Sequence, residues 1–226
     1  MMAKVRKYIS LVVWWASYFI VFFVSKFFFS VHVHYEDRDF KEVKRPVIVV
    51  SNHKHPCDPW IVFGSLPFKV FLRLLPIRPF AKKKFNKNSF LRVLTFLKIT
   101  GFVYYIYNVI TIPNTESFEE KIHPLVETLQ NNNSILMFPE GGIFFNEGIG
   151  DFKKGAVVIQ ERTDVPILPC AVRYGQKRLF RRKASVTFGE TLYIPKDLLD
   201  KEDGYVKASE YLREKVVSLF AKSKIF

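Results

Sequence analysis

A histidine and an aspartate five positions apart are the residues of this sequence with the clearest capacity for chemistry. His53 and Asp58 follow a short apolar run. Their spacing lets the carboxylate fold back onto one imidazole nitrogen while the other nitrogen faces a substrate. A carboxylate so placed fixes the tautomer of the ring and stabilises the imidazolium form. The pair therefore indicates a general base acting on a bound alcohol, whose hydroxyl would be the nucleophile.

The same turn is open to other interpretations. His53, His55 and Cys57 alternate, and a His-x-His at a strand end could begin a metal site. Only His123 remains downstream, which is too few further nitrogens for a typical multi-histidine site. We therefore predict no metal. A lone His-Asp pair also occurs by chance, so the function needs support from further residues.

A second polar cluster follows another apolar run at Glu140-Gly141-Gly142. The Glu140 carboxylate could accept a hydrogen bond from an acceptor hydroxyl, and the glycines let backbone N–H groups approach a ligand closely. The alternative is that Glu140 only caps the turn after its strand. In open parallel sheets, ligands bind beyond the carboxyl ends of the strands, which predicts that both clusters share one edge.

Short β-branched or aromatic runs alternate with helix-like segments along the rest of the chain. Predicted strands cover 45–51, 101–107, 135–138, 167–172 and 184–188, and predicted helices cover 88–98, 118–130, 155–162 and 205–220. A further helix begins at Asp58-Pro59, where Asp58 could serve as the N-cap. Ser117 and Glu120 form a capping box. This alternation predicts an α/β fold with a mixed, mostly parallel sheet flanked by helices.

The amino-terminal stretch is apolar and aromatic over 8–33, after a basic start at Lys4, Arg6 and Lys7. Its uninterrupted part of about 18 residues is ~27 Å long as a helix, which is marginal for a hydrocarbon core of about 30 Å. No small-residue cleavage site follows, unlike in a signal peptide. We predict a hydrophobic membrane-associated helical segment over 1–35, a re-entrant or interfacial hairpin in preference to a single membrane span, with a core helix as the further alternative.

Basic residues concentrate in two segments. The net charge is +14, and nine basic residues lie between 67 and 100 and six between 173 and 183, with no acid in either segment. Such segments indicate an anionic partner, either nucleic acid or an acidic lipid surface, although several of these residues could simply form a solvated face. The two cysteines suggest no disulfide scaffold, which favours a reducing, cytosol-facing environment.

Four blocks of the sequence resemble those of a known family. Asn52-His53 followed by Asp58 is similar to the NHx4D block of the glycerolipid acyltransferases, the 1-acyl-glycerol-3-phosphate acyltransferase (lysophosphatidic acid acyltransferase) family. The other blocks, in chain order, are FPEG at 138–141, FKKGA at 152–156 and VPILP at 165–169. The resemblance covers residues 35–195, so 36–226 is predicted to be one acyltransferase domain.

The resemblance implies transfer of an acyl group from acyl-CoA or acyl carrier protein to a lysophospholipid hydroxyl, in phospholipid biosynthesis. The simplest case converts 1-acyl-glycerol-3-phosphate to phosphatidic acid. It implies that His53 is the base and Asp58 its orienter, while Asn52 and the Glu140-Gly141-Gly142 cluster lie by the substrate. The acyl donor is a co-substrate and no cofactor is expected. The implied partners are membrane lipids and not nucleic acid, at the cytoplasmic face, which is the inner membrane in a bacterium.

The sequence departs from the family at two arginines associated with the acceptor phosphate. Ile143 and Tyr107 stand in their places. We predict that Lys83 and Lys84 bind substrate instead, or that the acceptor has a different headgroup or is an amine. Other candidate cations are Lys82, Arg173, Arg178 and Arg181.

Two other functions remain open from the sequence. A non-enzymatic module that binds anionic lipid or nucleic acid would explain the basic segments. However, it gives no reason for a His-x4-Asp at one strand end and Glu-Gly-Gly at another. A metal-dependent hydrolase would need a metal at the histidine-rich turn.

Overall fold

The computed structural model describes most of the chain. The described residues are 8–9, 11–19, 23, 29–36, 40, 43–82, 99–178, 181–200 and 202–223. Their strands are β1 (Phe29–Tyr35), β2 (Ile48–Ser51), β3 (Ile77–Lys82), β4 (Ile110–Ile112), β5 (Ser134–Met137), β6 (Ile167–Arg178) and β7 (Arg181–Phe188). These strands form one sheet in the order β1-β7-β6-β2-β5-β3-β4. Of the neighbouring pairs only β6 and β7 are antiparallel, which confirms the predicted mostly parallel sheet.

Helices cover both faces of this sheet. In the described part of the chain they are α1 (11–19), α2 (Asp58–Gly64), α3 (Phe68–Leu74), α4 (Ile99–Ile106), α5 (Phe118–Gln130), α6 (Gly155–Thr163), α7 (Lys196–Leu199) and α8 (Gly204–Lys222). One buried cluster joins the sheet to α5, α6 and α8, and a second joins it to α1, α2 and α3. The sheet is therefore a middle layer, as the sequence predicts.

Strand β2 lies near the centre of the sheet and all four of its residues are buried. Ile48 and Val50 pack into one cluster, and Val49 packs into the other. A β-branched run meets this requirement, because a strand covered on both faces needs apolar side chains on both. The strand fixes the backbone from which the histidine-rich turn departs.

One predicted strand is wrong. The run 101–107 belongs largely to the helix α4, and β4 begins only at Ile110. Phe102 and Tyr105 are exposed together, three positions apart, as a helical period requires. Periodicity could not separate the alternatives, since nearly every residue of the run is apolar or aromatic. The helix predicted at 88–98 lies outside the described residues.

The amino-terminal segment packs against the domain through one face of α1. Trp14 is only 3% exposed, and its ring lies 5.0 Å from that of Phe63 and 4.9 Å from that of Tyr107, between centroids. No helix among the described residues combines the length and apolar character needed to cross a bilayer. Strand β1 falls within the predicted segment 1–35 but pairs with β7, so these seven residues belong to the sheet.

Candidate active site

The two polar clusters meet at one edge of the sheet. Strands β2 and β5 are parallel neighbours, with Val50 opposite Met137. The residues that follow each strand therefore emerge side by side. The imidazole of His53 stacks on the ring of Phe138, with centroids 4.2 Å apart and planes 18° from parallel. This stacking holds one ring face and leaves 17% of the His53 side chain exposed.

The predicted contact between His53 and Asp58 is confirmed. Nδ1 of His53 lies 2.9 Å from Oδ2 of Asp58, whose side chain has no exposed surface. Because a carboxylate oxygen only accepts, Nδ1 carries the proton and Nε2 carries the lone pair. This tautomer suits a general base at Nε2.

Asp58 is tied to the loop before it. Its Oδ2 accepts hydrogen bonds from the backbone N–H groups of Lys54 and His55, at 2.6 Å and 2.7 Å. Asp58 is the first residue of α2, after Cys57 at the N-cap, and Pro59 is the second. The N-cap interpretation of Asp58 is therefore wrong by one position, and its carboxylate folds the loop that carries His53.

Tyr174 is a site residue that sequence analysis missed. Its hydroxyl donates to Oδ1 of Asp58 at 2.5 Å, from strand β6. The two residues are 116 positions apart. No residue pattern marks Tyr174, because its approach to Asp58 depends on the position of β6 beside β2 in the sheet.

Asn52, predicted to bind substrate, is fully buried. Its Nδ2 donates to the carbonyl of Val172 at 2.9 Å, and its Oδ1 accepts from the N–H of Val172 at 2.8 Å. The amide extends the ladder between β2 and β6 by one residue. Because Asn52 has no exposed surface and both its amide atoms bond Val172, we infer that Asn52 positions His53 rather than contacting substrate.

Glu140 joins two loops. Its Oε2 accepts from the backbone N–H of His53 at 2.8 Å, and its Oε1 accepts from that of Gly150 at 2.9 Å. The N–H of Phe144 donates to the carbonyl of His53 at 2.8 Å. The loop after β5 is thus bonded directly to the backbone of His53. These contacts favour the capping alternative for Glu140, with a direct contact to substrate left as a prediction.

Helix α8 supports the same loop from outside. The guanidinium of Arg213 donates to the carbonyls of Gly150 and Ile149, both at 3.0 Å, and to Oε1 of Glu210 at 2.7 Å. Contacts therefore run from the helix through Gly150 and Glu140 to His53.

The two predicted glycines differ in what they require. Gly141 has a φ of +77°, and a Cβ at this position would lie 2.5 Å from Nζ of Lys153. Positive φ favours glycine, so Gly141 is needed for the turn itself. Gly142 has open space around it and imposes no such requirement. The ammonium of Lys153 lies against this turn.

Lys54, in the loop between β2 and α2, is a cation of the site that the sequence analysis did not single out. Its Nζ donates to the carbonyl of Asn146 at 2.7 Å and lies 4.7 Å from the centroid of the Phe144 ring. Burial lowers the pKa of Lys54, while the charges of Glu140 and Asp58 oppose that shift. The predicted Lys83 and Lys84 lie outside the described residues.

Neither of the two arginine positions holds a basic residue. Ile143 is half-buried in the loop after β5. The hydroxyl of Tyr107 lies 2.6 Å from Oγ of Ser17 on α1. Tyr107 thus anchors the amino-terminal helix.

Among the described residues, no three histidine, cysteine, aspartate or glutamate side chains form a group that could hold a metal ion. Nδ1 of His55 accepts from the backbone N–H of Cys57 at 3.1 Å, which occupies one candidate ligand atom. Burial raises the pKa of the Cys57 thiol, and the charge of Asp58 raises it further. His123 is exposed on α5.

Glu140→Gln is expected to loosen this site. One carboxylate oxygen becomes an NH₂ group, which cannot accept from the N–H of His53 or Gly150. We expect the free energy of unfolding to fall by about 1–3 kcal/mol, measured by urea denaturation. Glu147→Gln changes an exposed glutamate of the same loop and is the matched control. Equal stability of the two variants would contradict the bridging role.

Comparisons with known proteins converge on one family. The family model described as Acyltransferase matches residues 32–173. A "Probable 1-acyl-sn-glycerol-3-phosphate acyltransferase" of Mycoplasma genitalium is 30% identical over 131 residues, which cover 57% of this chain and 44% of that protein. "Glycerol-3-phosphate O-acyltransferase 1" of Saccharomyces cerevisiae is 34% identical over 86 residues, 35% of this chain and 11% of that protein. These matches span less than half the length of either relative.

A solved structure has the same fold. The 1-acyl-sn-glycerophosphate (LPA) acyltransferase PlsC from Thermotoga maritima aligns with a TM-score of 0.62 and 21% identity, over 96% of this chain and 80% of that chain. The likeness extends beyond the family-matched residues and includes the elements that carry Tyr174 and Arg213.

Proposed function

Because the chain belongs to the acyltransferase family, we propose that it transfers a fatty acyl group from an acyl thioester to the hydroxyl of a lysophospholipid. The donor is acyl-CoA or an acylated carrier protein, and the acceptor is 1-acyl-glycerol-3-phosphate, which becomes phosphatidic acid. The observation that carries the proposal is the contact between His53 and the buried Asp58 at the carboxyl end of β2.

The pair supplies the proton transfers that this reaction needs. Nε2 of His53 takes the proton of the acceptor hydroxyl as its oxygen attacks the thioester carbonyl carbon. The tetrahedral intermediate expels the thiolate, and the imidazolium gives the proton to the departing sulfur. Asp58 holds the Nδ1–H and stabilises the imidazolium between these two steps. The cycle consumes only the thioester and the lysolipid.

Lysines supply the positive charge for the phosphate groups of the substrates. Lys153 lies against the turn at Gly141, and Lys54 belongs to the loop 52–57 that carries His53, called here the catalytic loop. Lys83 and Lys84 remain the predicted contacts to substrate. An ammonium neutralises a phosphate as a point charge, whereas arginine offers a fixed fork, so lysines substitute for charge but not for bidentate geometry.

We propose that the protein works at the cytoplasmic face of a membrane. The outer face of the amino-terminal segment exposes Tyr8, Val12, Trp15, Phe19 and Phe23. Tryptophan and tyrosine suit the interfacial zone of a bilayer, and the basic segments suit anionic lipid.

A binding module without catalysis is the competing function. It would use the basic segments and the exposed aromatic residues equally well. Binding alone does not require a fully buried carboxylate such as that of Asp58, which bonds the imidazole of His53 and accepts four hydrogen bonds in all.

The experiment is an acyl transfer assay with the purified full chain. Acyl-CoA or acylated carrier protein is mixed with vesicles that contain lysolipids with phosphate, glycerol, choline or ethanolamine headgroups. Released thiol and acylated lipid are measured together. We expect transfer that is greatest for the phosphate headgroup, with the protein co-sedimenting with the vesicles.

Several outcomes would contradict the proposal. Vesicle binding without acylation of any lysolipid would favour the binding module. Transfer that is greatest for a headgroup without a free phosphate would retain the acyltransferase and replace the acceptor. Loss of activity on chelation would point to a metal-dependent reaction.

A further inference from the structure

The two oxygens of Asp58 have different surroundings. Oδ2 receives three donors from the loop, namely the ring Nδ1–H of His53 and the backbone N–H groups of Lys54 and His55. For Oδ1, the hydrogen bond that the described residues show comes from Tyr174. Asp58 has no exposed surface, so solvent offers little substitute.

Tyr174 is held firmly where it makes this bond. The guanidinium of Arg182 lies 4.8 Å from the centroid of its ring. Nε of Arg182 also donates to the carbonyl of Gly175 at 3.2 Å. The rings of Phe29 and His55 lie 6.1 Å and 5.8 Å away, between centroids. A ring fixed by neighbours from β1, β7 and the catalytic loop presents its hydroxyl in one direction.

The phenol remains a donor throughout the physiological pH range. Burial raises the pKa of Tyr174 far above its ordinary value, and the negative charge of Asp58 raises it further. The hydroxyl hydrogen is therefore present whenever Asp58 is ionised.

We propose that Tyr174 is a positioning residue of the acyl transfer, which saturates Oδ1 of Asp58 and so fixes the carboxylate that orients His53. This inference rests on the proposed function. Tyr174 lies one residue beyond the range that the family model matches, and it belongs to none of the four sequence blocks that resemble the family.

Removal of the hydroxyl has two physical consequences. Oδ1 becomes a buried acceptor without a donor, and the carboxylate loses the bond that opposes its rotation. Without the hydrogen bond from Tyr174, less of the negative charge of the Asp58 carboxylate is held at Oδ1 and more lies at Oδ2. The hydrogen bond between Oδ2 and the Nδ1–H of His53 therefore becomes stronger. The first effect slows the reaction, and the second changes the electronic environment of that proton.

The test compares Tyr174→Phe with Tyr205→Phe in the full chain. Tyr205 donates to Oε2 of Glu161 at 2.8 Å on the exposed surface, so its variant removes the same kind of bond away from the site. We measure kcat/KM for acyl transfer and the low-field ¹H NMR signal of the His53 Nδ1–H, which is identified by its disappearance in His53→Gln. We expect Tyr174→Phe to lower kcat/KM about 10-fold and to move or broaden away the signal, with Tyr205→Phe unchanged.

Each outcome decides the inference. An unchanged rate and an unchanged signal in folded Tyr174→Phe would overturn it. Failure of Tyr174→Phe to fold, judged by circular dichroism, would also overturn it, because Tyr174 would then be required for the fold and not for positioning. The NMR signal needs no turnover. A displaced signal in a protein that acylates no lysolipid would therefore refute the proposed function while retaining the contact between Tyr174 and Asp58.

Discussion

His53→Gln is expected to lower kcat of acyl transfer about 10³-fold or more, with little change in stability. Glutamine keeps a polar group of similar reach, but it cannot take a proton from the acceptor hydroxyl at neutral pH. The side chain of His53 is only 17% exposed and stacks on Phe138, and glutamine fills part of the space that the ring leaves. Initial rates at saturating acyl donor measure the effect, and thermal unfolding checks that the fold survives.

The matched control for this prediction is His123→Gln. This histidine is exposed on α5, away from the two strand ends that form the site. Its variant should retain the full rate. Comparable rates for His53→Gln and His123→Gln would remove the general base from the proposed mechanism.

Asn52→Leu is expected to give the largest loss of stability among the variants considered. Leucine has a similar volume, but it leaves the N–H and the carbonyl of Val172 without their partners inside the sheet. Two unsatisfied buried backbone groups cost about 2–6 kcal/mol together. Because Asn52 directly precedes His53, kcat should fall as well. Urea denaturation and initial rates measure the two effects.

Asn131→Leu provides the comparison for that variant. Nδ2 of Asn131 donates to the carbonyl of Glu127, but the residue is exposed at the end of α5, where water can replace the lost bond. We expect a change in the free energy of unfolding of no more than about 0.5 kcal/mol. If Asn52→Leu were equally mild, the amide would not be the link between β2 and β6 that its contacts indicate.

The sequence predicted what depends on local spacing. Contact between His53 and Asp58 follows from five positions across a strand-to-helix turn. The helix over 118–130 follows from its N-cap Ser117, whose Oγ accepts from the N–H of Glu120 at 3.3 Å, although the N–H of Ser117 donates to Oγ1 of Thr115 and not to Glu120. Strands β2, β5, β6 and β7 and helices α5, α6 and α8 also follow from the apolar runs, whereas β1, β3 and β4 were not predicted. Each of these features depends on residues that are close together in the sequence.

What the sequence could not supply are contacts set by the sheet. Tyr174 reaches Asp58 only because β6 lies beside β2, and Glu140 bonds backbone groups of two loops that no side-chain pattern identifies. The strand predicted at 101–107 was wrong for another reason, since continuous apolar character fits both helix and strand. The fold also uses polar atoms of Asn52 and Glu140 for hydrogen bonds to the backbone, and no residue pattern indicates these bonds.

The hydrogen bonds from Arg213 to Gly150 and Ile149 have a consequence for truncated forms of this protein. The family model matches residues 32–173 and so ends forty positions before Arg213. A protein truncated to that range would keep all four sequence blocks that resemble the family. It would nevertheless lose the hydrogen bonds from Arg213 to Ile149 and to Gly150, the residue whose N–H donates to Glu140. Helix α8 thus supports the proposed active site, although no motif marks it.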